Sequence, residues 1–131
     1  MRRQFFLPEE DTAYLDSLGL NWETLKESNL EWLIVYNFSV PNGYTITTVD
    51  VAVTISSGYP ISALDMAYFS PELKRVDGIG INAANVMQNL DGKSWQRWSR
   101  HRTPQNPWQP GSDNISTHFA SIVYWLEREF K

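Results

Sequence analysis

The chain has 131 residues, of which 42% are apolar and 20% charged, with a formal net charge of -4. Those proportions describe one folded domain over residues 1–131 that can bury a core without disulfides, and they exclude a disordered tail. No cysteine is present and there are two histidines, a combination that suits a cytoplasmic location and leaves zinc without a plausible ligand set.

The opening MRRQFFLPEEDTAYL carries only FFL as an apolar run before Pro8, too short for a secretory signal. WLIVY falls far short of the roughly 20 apolar residues that cross a bilayer, so a soluble protein with no membrane partner is expected. Residues 8–18, PEEDTAYLDSL, predict a short helix. Proline suits the first turn, three acids favour the positive end of the dipole, Leu15 and Leu18 give an inner face, and Gly19 closes it. LNWETLKESN reads as a turn or a partial strand.

Residues 32–40, WLIVYNFSV, are aromatic and β-branched, and PNGY then breaks the run with an Asn-Gly turn signal. Residues 48–56 alternate cleanly: Val49, Val51, Val53 and Ile55 share one face, Asp50, Ala52 and Thr54 the other. A third short strand is expected over 64–69, LDMAYF. Residues 70–93 show little periodicity and read as connecting loop with at most a turn of helix. The chain closes with a helix capped by Ser112 or Asp113, whose apolar stripe is Ile115, Phe119, Ile122, Val123, Leu126 and Phe130. The fold class is therefore α+β: N-terminal helix, antiparallel β-meander, irregular crossover, long C-terminal helix.

The chemistry of the chain concentrates in residues 94–111, SWQRWSRHRTPQNPWQPG. Three tryptophans, Trp95, Trp98 and Trp108, sit among Pro104, Pro107 and Pro110, and large rings in a proline-stiffened stretch serve as local core. Lys93, Arg97, Arg100 and Arg102 fall within ten positions; they form a surface that could meet an acidic partner. His101, flanked by two arginines, is a candidate acid or base. Ser94, Ser99 and Thr103 lie close in sequence, but no motif frames them as nucleophiles. His118 reads as a partly buried ring bonded to the 100–110 loop, and Asp113 as a cap more readily than a catalytic acid. Tryptophans beside cations also allow base stacking, although the net acidic balance argues against a nucleic-acid partner.

Several landmarks resemble a ubiquitin-conjugating (E2, UBC) domain: Gly58-Tyr59-Pro60 after the strand at 48–56, and Trp108-Gln109-Pro110 ahead of the last helix. The phrases FLPEED, LGLNW, ALDMAYF, DGKSWQRWSRHR, NPWQPG and THF…WLERE resemble more closely a short bacterial E2-like family, prokaryotic E2 family E. The resemblance implies structural roles for Tyr59, Pro60, Trp108 and Pro110, beside the structural reading of Trp95 and Trp98 as local core. It also implies partners: a ubiquitin-like protein, an E1-like adenylating enzyme and a JAB-type isopeptidase. No cofactor or metal is implied.

Departures from the E2 pattern are equally informative. The nucleophilic cysteine of an E2 would fall near Ser99, Arg100 and His101, and no cysteine exists; the His-Pro-Asn triplet is reduced to Ser70-Pro71-Glu72; and no residues are left for the last two E2 helices. A thioester carrier needs a thiolate that is both nucleophile and leaving group. Two readings follow from the sequence. One is a non-catalytic module that binds a ubiquitin-like protein or its E1-like or JAB-like partner through Lys93, Arg97, Arg100 and Arg102. The other is a cysteine-free enzyme of the same pathway, with His101 as nucleophile or base and His118 or Asp113 as support.

Overall fold

A computed structural model describes residues 1–131. It orders them as α1 (Glu9–Ser17), β1 (Trp22–Glu27), β2 (Leu30–Ser39), β3 (Thr48–Ile55), β4 (Ala67–Ser70), β5 (Val86–Leu90), β6 (Lys93–Trp98) and α2 (Ile115–Arg128). The strands form one six-stranded sheet, β1-β2-β3-β4-β6-β5, in which every neighbouring pair is antiparallel. This is a reduced E2-like α+β fold, and no helix is long and apolar enough to cross a membrane.

Local chemistry explains the hairpins. Ser28 and Asn29 both take left-handed backbone (φ 54° and 62°) and close β1 on β2 with Glu27 opposite Leu30, the geometry that matches the twist of paired strands. Asp91-Gly92 does the same for β5 and β6, with Leu90 opposite Lys93. In β2 the register shifts between Val35 and Phe38, at left-handed Asn37. The carboxylate of Asp50 accepts the Asn37 N–H at 3.0 Å.

The helices cover one face of the sheet. Leu15 of α1 and Ile115, Phe119, Ile122 and Leu126 of α2 pack on Leu33, Val35, Val51, Val53, Phe69 and Trp98. The opposite face carries a smaller apolar cluster, Leu25, Trp32, Ile34, Ala52, Tyr68, Leu90 and Trp95, with Trp32 edge-on to Tyr68 at 5.0 Å. Burial on both faces is why β2 reads as a near-continuous apolar run rather than an alternating one.

Five expectations are corrected. Residues 22–27 form a full edge strand. The short strand expected over 64–69 lies at Ala67–Ser70. The region taken as loop and crossover contains the β5–β6 hairpin, so Trp95 and Trp98 are strand residues on opposite faces, not local core of a loop. The cap of α2 is Asn114, in a reciprocal box with Thr117, rather than Ser112 or Asp113. In the stripe, Val123 is exposed, and Phe130 lies past the end of α2, edge-on to Tyr44 at 4.9 Å.

Candidate functional site

The site forms where the chain leaves β6 and runs beside α2. The Ser99 N–H donates to the Ala83 carbonyl at 2.9 Å, and the Met66 N–H donates to the Arg100 carbonyl at 3.3 Å. These bonds hold the 99–101 segment between the residues before β5 and those before β4. Met66 itself has left-handed backbone, φ 58°, which turns Asp65 toward the same surface.

His101 is exposed and engaged at both ring nitrogens. Nδ1 lies 3.0 and 3.1 Å from the two carboxylate oxygens of Asp65, and Nε2 lies 3.0 Å from Ser99 Oγ. An ionised carboxylate only accepts. Nδ1 therefore carries the proton of the neutral ring, which leaves Nε2 as acceptor for the Ser99 hydroxyl. Asp65, His101 and Ser99 thus stand in line, a carboxylate at one ring nitrogen and a hydroxyl at the other, an arrangement of the kind a base-activated hydroxyl requires.

His118 lies nearby but is enclosed, with 2% of its surface exposed. Its Nε2 donates to the Met66 carbonyl at 2.8 Å, and the ring stands edge-on to Trp125 at 5.7 Å. Its partner is thus the residue after Asp65, not the 100–110 loop expected from the sequence. Burial pushes its pKa below 6.5, and the charge of Arg102 acts in the same direction, while the bond to Met66 and the charge of Asp65 oppose them. Both histidines border a cavity of about 30 Å³ with Leu64, Asp65, Asn106, Ser121 and Trp125, room for roughly one water.

Asp113 has a different task. It accepts the Gln109 N–H at 2.8 Å and Arg102 Nη1 at 3.3 Å. Burial would raise its pKa, but the bond from the Gln109 N–H, the nearby Thr117 hydroxyl and the charge and bond of Arg102 hold it below the usual carboxylate range. It fastens the loop ahead of α2 and meets the histidine cavity through Arg102.

The four basic side chains do not gather into one free patch. Lys93 is 3.7 Å from Asp50. Arg97 stands opposite Tyr68 on the neighbouring strand, with its Nε buried and without a hydrogen-bond partner. Arg100 donates to the Asn82 carbonyl at 3.0 Å, lies over Trp98 and comes within 3.9 Å of Glu129. Arg102 lies over Trp108 and pairs with Asp113. Only Arg100 and Arg102 flank His101.

The aromatic landmarks meet each other. Trp108 Nε1 donates to the Pro60 carbonyl at 3.0 Å, and its ring is tilted against Tyr59 at 6.2 Å. Pro60 follows a cis peptide bond, and Pro110 stands in the loop that leads to α2. Tyr59 Oη donates to Asp11 Oδ2 at 2.7 Å and accepts the Ile115 N–H at 2.9 Å, so one hydroxyl ties α1 to the first turn of α2.

Sequence reasoning missed Asp65, which lies 36 positions before His101; no local pattern encodes that approach. Ser99 was visible as a neighbour of His101, but its orientation was not. Also missed was the salt-bridge group in which Arg2 meets Glu23 and Asp91, with Tyr36 donating to Glu23 at 2.6 Å.

The geometry and the sequence comparison agree. The sequence matches the family described as prokaryotic E2 family E over residues 7–129. Searches of curated proteins and of solved structures return no match. With no cysteine anywhere in the chain, no cysteine thioester can form on it. The chain belongs to prokaryotic E2 family E.

Proposed function

We propose that the protein is an E2-like component of a bacterial ubiquitin-like conjugation system that binds and positions a ubiquitin-like protein, or its E1-like or JAB-like partner, without carrying it as a thioester. The observation behind this reading is an E2-like frame in which the segment expected to hold the thiol is Ser99-Arg100-His101. Arg100 and Arg102, each laid on a tryptophan, suit contact with an acidic partner. Titration against each of the three partner types tests it, with Arg100→Glu and Arg102→Glu as variants checked for folding by thermal unfolding. Saturable binding weakened at least about tenfold by Arg100→Glu supports the reading. Absence of saturable binding to all three, or binding indifferent to both substitutions, overturns it.

A second reading, a cysteine-free enzyme of the same pathway, is favoured by one observation: His101 stands between a carboxylate and a hydroxyl. Because both ring nitrogens are engaged, the geometry suits His101 as base better than as nucleophile.

A further inference from the structure

We infer that Ser99 is an acyl-accepting nucleophile, with His101 as its general base and Asp65 as the residue that positions His101. The inference rests on the second reading above and names the nucleophile and substrate class that reading lacks. The hydroxyl is 3.0 Å from Nε2, within the reach a base needs, and in the neutral ring the carboxylate at Nδ1 selects the tautomer whose Nε2 can accept.

The surroundings select the substrate class. Side-chain exposures of 57% for His101 and 48% for Asp65 leave the relay open to solvent. The adjoining cavity of about 30 Å³ has no room for an acyl chain. The acyl donor therefore lies outside that cavity, on the open surface or in the neighbouring groove of about 250 Å³ lined by Arg100, Tyr124 and Trp125, and presents an unhindered carbonyl. An ester or thioester fits, because an open site gives an amide's poor leaving group too little help. Arg100 is the residue after the nucleophile, a position whose backbone N–H faces a developing oxyanion in other serine acyl-transfer sites. Its guanidinium is engaged elsewhere, on the Ser99 and Asn82 carbonyls and near Glu129, so the backbone N–H is the donor assigned to the oxyanion.

The step balances with water alone as co-reactant. Ser99 Oγ attacks the carbonyl carbon as its proton passes to His101 Nε2. The bond to the alcohol or thiol leaving group then breaks, and that group departs with the proton from Nε2. Water next attacks the acyl-serine carbonyl, again giving its proton to Nε2. The ester bond to Ser99 breaks, the proton returns to Oγ, and a carboxylic acid is released.

The test uses the full chain with two probes, p-nitrophenyl acetate and a fluorophosphonate. One fluorophosphonate adduct per chain is expected, mapped to the peptide containing Ser99 and absent from Ser99→Ala. His101→Gln should slow labelling and p-nitrophenol release by about a hundredfold or more. Asp65→Asn should slow both and change the ¹⁵N signals of the His101 ring from the Nδ1–H tautomer to a mixture, which loss of a purely structural contact would not do. Thermal unfolding checks that the three variants remain folded. Labelling at another residue, no labelling of a folded chain, or a rate unchanged in His101→Gln overturns the inference. Partner titration of Ser99→Ala separates the two questions: intact binding without wild-type labelling defeats this inference alone, and labelling without binding defeats the positioning role alone.

Discussion

Removing one oxygen, with Tyr59→Phe, probes the joint between the two helices. Tyr59 Oη donates to Asp11 at 2.7 Å and accepts the Ile115 N–H at 2.9 Å, while the other Asp11 oxygen is 3.4 Å from the same N–H. Asp11 is 1% exposed, so neither partner can turn to bulk water when the hydroxyl is gone. Losing a bond to a buried charged group and leaving an N–H poorly paired costs about 2–3 kcal/mol. For a chain of 131 residues that corresponds to a fall in Tm of about 7–11 °C. The pH dependence makes the argument specific. Burial raises the Asp11 pKa, and the Tyr59 bond pulls it back. Without the hydroxyl the folded-state value rises further, so the native variant takes up a proton at higher pH than its unfolded chain does. Protonation then relieves part of the penalty, and the deficit against wild type narrows over the range in which pH falls from neutrality through the variant's folded-state value. Urea unfolding followed by tryptophan fluorescence at both ends of that range is the assay. A loss below about 0.5 kcal/mol, or a loss equal at both pH values, would refute the clamp.

Asn114→Ala should cost about 1 kcal/mol by removing the acceptor of the Thr117 N–H and of Ser116 Oγ; Ser112→Ala, which touches neither, should stay within about 0.5 kcal/mol in the same denaturation series. His118→Gln, which keeps an amide donor for Met66, should change the pH profile of stability. Since the folded His118 pKa lies below 6.5, the unfolded chain binds the proton first; the contribution is complete above 6.5 and is lost as pH falls toward the folded value. Unfolding midpoints measured across that window should therefore fall less steeply in the variant than in wild type.

The expectations that held came from periodicity confined to one element. Val49, Val51, Val53 and Ile55 reach the core together because a strand buried mainly on one side alternates. The stripe of α2 holds at Ile115, Phe119, Ile122 and Leu126. The largest miss, β5–β6, was signalled by a dipeptide rather than a period. Asp91-Gly92 is a two-residue hairpin turn of the kind that joins paired strands. The flanks conceal it: β5 is an edge strand with Val86 and Met87 exposed, and β6 buries Trp95 on one face and Gln96 and Trp98 on the other. Neither gives an apolar–polar alternation. Gln96 reads as a surface residue, yet it is buried because its amide bonds both backbone groups of Leu73 and accepts from Trp98 Nε1.

The site was legible only to the extent that its members were neighbours in sequence. Ser99 and His101 stand two apart and could be suspected together; Asp65 enters through the fold alone. Antiparallel pairing of β4 with β6 sets Ala67 opposite Trp98, so the residues just before β4 must lie beside those just after β6. That register is what carries Asp65 to His101, and the bond from the Met66 N–H to the Arg100 carbonyl continues the pairing past the last ladder position. A one-residue slip would turn Trp98 out of the core and Gln96 with it. The packing that buries Trp98 therefore also fixes the relay. In Trp98→Ala, a cost of about 3–5 kcal/mol from the emptied core should come with loss of the Asp65–His101 contact, seen as a mixed His101 tautomer in ¹⁵N spectra of the folded variant. A ring still held in the Nδ1–H form would show that the 99–101 loop keeps its geometry independently of the sheet.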